Sequence, residues 1–281
     1  MELHFTSANQ DQIIDLTQPS IMGILNLTPD SFSDGGLFVN KDSALKHVQQ
    51  MIAEGAQIID IGGESTRPGA SNVSIDEECQ RVIPVIQAIR ELSDIPISID
   101  TSKTEVMQQA ITAGASMIND VNALRAEGAV ELAAKLNIPV CLMHMQGKPR
   151  TMQHTPSYKN VVQEVKEFLK QRIDVCIKAG VKLNNIVIDP GFGFGKTLEH
   201  NLTLFKHLDE FEDLGCPLLV GVSRKSMIAA VLNNAPADER LHGSIALATL
   251  AAWMNANILR VHDVKATADA LKLTMAVKET E

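Results

Sequence analysis

Two pairs of residues suited to anion binding follow short apolar runs of the sequence. Arg260 and His262 are separated by one residue, and so are Ser223 and Lys225. Side chains two residues apart in a strand point to the same face, so each pair presents two polar groups together. A basic residue at a strand end is often only a solvated charge at the rim, so either pair alone is weak evidence.

Polar residues also end six other apolar runs of this kind. They are Asn26, Asp60, Asp100, Asn119 with Asp120, His144 and Asp189. Although the net charge of the chain is −9, basic residues stand near these positions: Arg67, Lys103, Lys148, Arg150, Lys196, Arg224, Lys225, Arg260 and His262. Carboxylates among local positive charge indicate a ligand with an anionic end and a heterocycle that offers N–H donors.

The apolar runs predict strands, which lie at 21–25, 57–61, 95–99, 116–118, 139–143, 185–188, 218–222 and 257–261. Runs that are apolar throughout are typical of parallel strands buried on both faces. Helical spacing separates them, at 42–54, 76–92, 103–113, 127–136, 158–179, 201–214, 226–233, 244–255 and 263–278. This alternation predicts one α/β domain over residues 1–281, a (β/α)8 TIM barrel, because no linker resembles a hinge.

Such a barrel explains why the polar residues follow the strands. The loops at the carboxyl ends of the strands form the active face of this fold, so all eight polar ends would meet at one mouth. Residues 3–16 precede the first barrel strand, and we expect them to form a hairpin across the barrel floor.

Composition narrows the class of protein further. A chain of 281 residues with 45% hydrophobic residues is of ordinary globular type, and its acidic balance argues against nucleic-acid binding. The cysteines form no C-x-x-C pair, so we expect buried reduced thiols. No signal peptide and no apolar run of about 18 residues is evident, which favours a cytoplasmic protein without membrane contact.

Three loops invite interpretation as ligand-binding segments. The stretch GFGFGKT at 191–197 resembles a phosphate loop but has Pro190 where the pattern needs glycine, so we interpret it as a flexible barrel loop beside Asp189. The loops at 26–36 and 62–69 have the composition of mobile lids, although ordinary turns share it. No compact histidine motif predicts a zinc site, whereas Asn26 offers an oxygen to Mg²⁺.

Longer motifs carry a family resemblance. They are MGILNLTPDSFSDG at 22–35, GGESTRPG at 62–69, SIDT at 98–101, IND at 118–120, MHMQG at 143–147, DPGFGFGK at 189–196, GVSRKS at 221–226 and RVH at 260–262. In this order they resemble the dihydropteroate synthases, a family of pterin-binding barrels. The resemblance runs from about residue 21 to the last helix. It implies a transferase that joins 6-hydroxymethyl-7,8-dihydropterin pyrophosphate to para-aminobenzoate in folate biosynthesis, by a dissociative reaction.

The resemblance also implies roles for individual residues. Pterin would be bound by Asp100, Asn119, Met143, Asp189, Phe194 and Lys225. Pyrophosphate would be bound by Asn26, Arg67, Arg260 and His262, with Mg²⁺ on Asn26. Para-aminobenzoate would be bound by Phe32, Thr66, Arg67, Pro68 and Ser223. Catalysis would rest on Asp100, Lys225, Arg260 and His262. Sulfonamide inhibition and a homodimer formed through the last helices are implied as well.

Three alternatives remain open at this point. A methyltetrahydrofolate methyltransferase would share Asp100, Asn119 and Asp189 but needs no pyrophosphate pocket. A catalytically idle pterin-binding barrel would hold the ligand without turnover. An unrelated phosphate-binding barrel would explain the basic mouth but not the acidic residues within it.

Overall fold

The structure, a computed structural model, describes residues 1–5, 11–28, 37–65, 72–147, 151–153 and 155–280, with 37–40 as backbone only. Its strands are β1 Glu2–Phe5, β2 Gln12–Asp15, β3 Ser20–Asn26, β4 Ile58–Gly62, β5 Ile97–Asp100, β6 Met117–Asp120, β7 Val140–Met143, β8 Ile186–Asp189, β9 Leu219–Val220 and β10 Ile258–Val261. Its α-helices are α1 Leu37–Glu54, α2 Ile75–Leu92, α3 Thr104–Ala113, α4 Ala129–Leu136, α5 Val161–Lys178, α6 Leu198–Lys206, α7 Ser226–Val231, α8 Leu241–Trp253 and α9 Val264–Lys278.

The strands β3 to β10 form one parallel sheet with the order β8-β7-β6-β5-β4-β3-β10-β9. A parallel bridge between Ile188 and Leu218 joins the two ends of the sheet, and the Ile188 amide donates to the Pro217 carbonyl at 2.9 Å. This bridge closes the sheet into a barrel. Each of the eight predicted strands overlaps an observed one, so the predicted (β/α)8 barrel is confirmed.

The helices follow the predicted segments, with one difference. The pattern at 201–214 predicts a single helix, but α6 ends at Lys206 and a 3₁₀ helix follows over Leu208–Leu214. In that segment Leu208 and Phe211 are buried three residues apart. Side chains at this spacing line up in a 3₁₀ helix, so packing favours the tighter turn here and the prediction of one helix is wrong.

The N-terminal hairpin lies across the floor of the barrel, as expected. Strands β1 and β2 pair antiparallel, and Leu3, Phe5, Ile14 and Leu16 point into one apolar cluster. The other members of this cluster come from the first residues of the barrel strands: Met22, Ile58, Met117, Cys141, Val187, Leu219 and Ile258. Burial of each large side chain contributes roughly 1.5–3 kcal/mol, so the hairpin is an integral part of the core.

A second core lies between the strands and the surrounding helices. Ile59, Ile61, Ile97 and Ile99 belong to it, whereas the residues that alternate with them face the barrel interior. All four cysteines are buried and unpaired, which confirms the prediction for them. No helix in the described part of the chain is long and apolar enough to cross a membrane.

Candidate functional site

Arg260 lies at the centre of the barrel mouth. It extends from β10 past β3 to the next two strands, where its Nε donates to Asp60 Oδ2 at 2.6 Å and its Nη2 donates to Asp100 Oδ2 at 2.7 Å. Asn119 Nδ2 also donates to Asp60 Oδ2, at 3.2 Å. Four strands therefore contribute to one buried polar network.

Burial shifts the pKa values of the charged groups in this network. Burial raises the pKa of Asp100 to about 7, with Asp60 adding to the increase and Arg260 opposing it. Burial disfavours the charged form of Arg260, but Asp60 and Asp100 together raise its pKa above the ordinary value. The buried Oδ1 of Asp60 has no hydrogen-bond partner among the described residues, so it is free to accept a donor from a ligand.

Asp189 forms the second acidic position of the mouth. Its Oδ1 accepts from the Gly191 amide at 2.7 Å. Burial raises the pKa of Asp189, while the Gly191 amide and the charges of Lys225 and Arg260 oppose this. A Cβ atom placed on Gly221 would lie 3.8 Å from the Arg260 Cβ and 4.0 Å from Asp189 Oδ2, so these two residues flank the same glycine.

Lys225 and the loop after β8 form one wall of the mouth. Lys225 Nζ donates to the Phe192 carbonyl at 2.5 Å and lies 4.1 Å from the centroid of the Phe194 ring. Burial lowers the pKa of Lys225 to about 8, although Asp189 opposes this. Phe194 packs against an apolar group of Val121, Met143, Met145 and Met152, so Met143 and Phe194 lie in one cluster beside this wall.

Ser223 and His262 meet just beyond the carboxyl ends of the neighbouring strands β9 and β10. His262 Nδ1 lies 3.0 Å from Ser223 Oγ, and the His262 amide donates to the same oxygen at 3.2 Å. Arg224, between the predicted site residues Ser223 and Lys225, turns away and pairs with Asp263 at 3.0 Å through its Nε. Its left-handed backbone, with φ of 56°, allows this reversal of direction.

Asn26 lies beside Asp100. A Cβ atom on Gly62 would be 3.7 Å from Asn26 Oδ1 and 3.6 Å from the Asp100 Cβ, so the two side chains flank Gly62. No group of three His, Cys, Asp or Glu side chains in the described ranges could hold a metal ion. A single amide oxygen near a carboxylate nevertheless suits Mg²⁺, which keeps several waters and takes further ligands from substrate phosphates.

Several predicted basic residues of the mouth have other partners. Lys103 pairs with Glu64 at 2.6 Å and also with the buried Glu78, and Lys196 is only 3% exposed. The predicted site residues Phe32, Thr66, Arg67 and Pro68 lie outside the described residues, as do Lys148, Arg150 and the parts of the predicted lids at 29–36 and 66–69. Positive charge at the mouth is therefore concentrated on Arg260 and Lys225 in the part of the chain that is described.

Two features of the site were missed or misjudged from the sequence. Asp60 was recognised as a polar residue after an apolar run but received no role, although it accepts from both Arg260 and Asn119. The sequence predicts a flexible loop at 191–195, but the loop is closely packed in the structure. A Cβ atom added to Gly191 would lie only 1.9 Å from the carbonyl oxygen of His144. In the sequence, only the close spacing of its glycines could have indicated this tight packing.

Comparison with known proteins identifies the class of protein to which this barrel belongs. A family model described as pterin binding enzyme matches residues 22–262. Dihydropteroate synthase of Haemophilus influenzae is 54% identical over 95% of this chain and 96% of its own.

Solved structures agree with this classification. A Yersinia pestis dihydropteroate synthase with a sulfonamide drug complex has a TM-score of 0.92 and 49% identity, covering 99% of this chain and 100% of its own. A Xanthomonas albilineans dihydropteroate synthase with 4-aminobenzoic acid has a TM-score of 0.93 and 45% identity, covering all of both chains. The chain therefore belongs to the dihydropteroate synthase family of transferases.

Proposed function

We propose that the enzyme condenses 6-hydroxymethyl-7,8-dihydropterin pyrophosphate with para-aminobenzoate, giving 7,8-dihydropteroate and pyrophosphate. The observation that carries this proposal is the buried network of Arg260 with Asp60 and Asp100, which places donors and acceptors at the bottom of one mouth. The 4-aminobenzoic acid complex of the Xanthomonas albilineans relative supports the choice of arylamine.

The pterin ring fits the acidic part of the mouth. Its 2-amino-4-oxo pyrimidine edge carries adjacent N–H donors, which the Asp189 carboxylate and the free Oδ1 of Asp60 can accept. Asn119 and Lys225 supply donors for the ring acceptors. Met143 and Phe194 belong to the apolar cluster beside them and would pack on the ring faces.

Pyrophosphate would be bound by Asn26, Arg67, Arg260 and His262. Hydrogen bonds to Asp60 and Asp100 fix the Arg260 guanidinium in place, so its charge would be held beside the proposed leaving group. Asn26 would hold Mg²⁺ together with water and phosphate oxygens. When bound, the ion would neutralise charge on the departing pyrophosphate.

The proposed reaction is dissociative. The bond between the pterin methylene carbon and the pyrophosphate oxygen breaks first, and both electrons leave with pyrophosphate. Asp100, held near the methylene by Arg260, stabilises the resulting cation electrostatically. The arylamine nitrogen then forms the new C–N bond and releases one proton to solvent.

Para-aminobenzoate would bind nearer the surface, with its carboxylate beside Ser223. Thr66, Arg67, Pro68 and Phe32 stay predicted contacts for this substrate. Sulfonamides resemble the arylamine in shape and charge, and a sulfonamide complex is known for the Yersinia pestis relative. We therefore expect sulfonamides to compete with para-aminobenzoate in this enzyme.

We further propose a homodimer formed through the last helices. Leu250 and Trp253 on α8 and Leu273 and Val277 on α9 are each at least 50% exposed, although they are large and apolar. Helices α8 and α9 pack on each other, so these side chains can share one surface. Sedimentation of the wild type should give a dimer, and Leu273→Glu should shift it toward monomer.

Pyrophosphate release tests the proposed activity directly. The purified protein would receive dihydropterin pyrophosphate, Mg²⁺ and para-aminobenzoate, with each omitted in turn. Release that depends on the arylamine and yields dihydropteroate supports the proposal. Pterin binding without release would favour a methyltransferase or an idle barrel instead.

A further inference from the structure

The loop at 191–195 is held by hydrogen bonds to every one of its carbonyl oxygens. Side chains donate to them in order along the loop: Lys196 to Gly191 at 2.8 Å, Lys225 to Phe192 at 2.5 Å, Gln153 to Gly193, Lys196 to Phe194 at 3.2 Å, and Tyr158 to Gly195 at 2.8 Å. Backbone carbonyls are usually paired with other backbone groups. This loop therefore takes its shape from surrounding side chains.

Lys196 makes more of these contacts than any of the other donors. It is 3% exposed, and its Nζ also lies 2.9 Å from His144 Nδ1. Its Nζ therefore lies within hydrogen-bond distance of three acceptors. Burial lowers the pKa of Lys196 well below its ordinary value, although Asp189 opposes this. Burial lowers the pKa of His144 to about 2, so the ring stays neutral and Nδ1 can accept. His144 is itself held by the edge-on ring of Phe168, 5.0 Å away.

The contacts of Lys196 lead to three groups that face the pterin subsite. Gly191, whose carbonyl Lys196 holds, donates its amide to Asp189. Phe194, whose carbonyl Lys196 also holds, presents its ring beside Lys225. Lys196 is thus connected through the loop to an acid, an aromatic ring and a cation.

The loop at 191–195 is packed too closely against neighbouring backbone to move and form other contacts. A Cβ atom added to Gly191 would lie 1.9 Å from the carbonyl oxygen of His144, and one added to Gly195 would lie 2.5 Å from the carbonyl oxygen of Gln146. Both glycines have positive φ. The loop therefore packs directly against the backbone at 144–146.

We propose that Lys196 and His144 form a buried positioning pair that sets the geometry of the pterin subsite without touching the ligand. The proposal rests on the pterin-binding part of the proposed function. At metal sites, loss of outer-shell partners that orient the binding groups costs about 10- to 100-fold in affinity or activity. By the same logic, loss of this pair should weaken pterin binding by about tenfold or more.

The test compares pterin and arylamine binding in matched variants. Lys196→Met removes the amino group and its hydrogen bonds at similar length, and Lys206→Met on the exposed end of α6 is the control. We expect Lys196→Met to raise the Kd for a dihydropterin without pyrophosphate, and the KM for the pterin substrate, by about tenfold or more. The KM for para-aminobenzoate should stay within about twofold, since Ser223 lies outside this loop.

Two histidine variants provide a second, independent readout. His144→Asn keeps an acceptor close to the position of Nδ1, whereas His144→Leu removes it. Pterin affinity should therefore be closer to wild type in His144→Asn than in His144→Leu. If Lys196→Met fails to fold, this pair of variants decides the question alone.

Three results would contradict the proposal that Lys196 and His144 form a positioning pair. One is wild-type pterin affinity in the folded fraction of Lys196→Met, and another is an equal rise of KM for both substrates. Equal pterin affinity in the two histidine variants would do the same. Failure of the proposed activity is distinguishable, because pterin titration needs no turnover: a wild type that binds pterin but releases no pyrophosphate leaves this comparison intact.

Discussion

The floor and the mouth of the barrel are built by the same strands but follow opposite physical rules. In four of the barrel strands the inward-facing residue changes from apolar to polar over two positions: Ile58, Met117, Val187 and Ile258 at the floor are followed by Asp60, Asn119, Asp189 and Arg260 at the mouth. The floor needs no specific partners, since apolar packing is not directional. The mouth buries charges whose cost is offset only by their mutual contacts.

This contrast indicates a division of labour within one core. The floor, sealed by β1 and β2, contributes stability that is largely independent of the ligand. The mouth retains a buried unpaired oxygen on Asp60 and a carboxyl at Asp100 with a raised pKa, both of which disfavour the folded state by themselves. Changes at the floor should therefore alter stability, and changes at the mouth should alter activity first.

The largest effect is expected for Arg260→Ala at the mouth. It leaves Asp60 and Asp100 buried without their shared partner, and breaking such a pair costs about 3–5 kcal/mol. We expect kcat/KM to fall about a thousandfold or more, because charge stabilisation at the reacting centre is lost too. Steady-state kinetics and urea unfolding measure the two effects.

Arg224→Ala is the matched control for Arg260→Ala. Its ion pair with Asp263 is partly exposed, and such pairs contribute about 0–1 kcal/mol. A comparable loss of activity in both arginine variants would contradict the assignment of Arg260 to the centre of the site.

Phe5→Ala tests the floor. Phe5 is fully enclosed by the floor cluster, and removing a buried phenylalanine costs roughly 3–5 kcal/mol. The free energy of unfolding should fall by this amount in urea titration, while kcat of the folded enzyme stays unchanged. Ile13→Ala, at a position 58% exposed on the same hairpin, should change stability by less than about 0.5 kcal/mol. Loss of kcat beyond the unfolded fraction in Phe5→Ala would show that the two ends are coupled.

Asp189→Asn tests whether pterin and pyrophosphate bind to separate parts of the mouth. Hydrogen bonds to a charged group contribute about 1.5–3 kcal/mol, so pterin binding should weaken about tenfold to a hundredfold whether or not pyrophosphate is attached. Arg260→Ala should instead weaken mainly the pyrophosphate-bearing pterin. Calorimetric titration of both ligands into both variants makes the comparison, and equal losses throughout would rule out this division.

The pH dependence of kcat/KM should show the smallest effect. Asp100, with a pKa of about 7, is proposed to act ionised, so activity should fall as the pH drops below 7. Lys225, with a pKa of about 8, is proposed to act protonated, so activity should fall again above 8. Each limb should approach about tenfold per pH unit. Lys225→Arg keeps its charge, and a profile that still falls above pH 8 in this variant would exclude Lys225 as the group responsible.

Much of the fold is determined by local sequence. Each barrel strand lies in a short apolar run with a polar residue at or near its carboxyl end, and this pattern predicts both the strand and the end that carries the site. The break after Lys206 was missed because helical spacing alone does not distinguish a continued α-helix from a 3₁₀ turn.

The contacts of the site depend on closure of the barrel. Arg260 lies 200 residues from Asp60 and 160 from Asp100 along the chain, and their pairing exists only because β10 comes to lie beside β3. The loop at 191–195 likewise obtains donors from Gln153 and Tyr158, which precede β8. Sequence by itself determined which strand residues face the barrel interior near the mouth, since alternation along a strand is local. Only the tertiary structure decided which of them pair, because hydrogen bonds and desolvation depend on distances that no local pattern encodes.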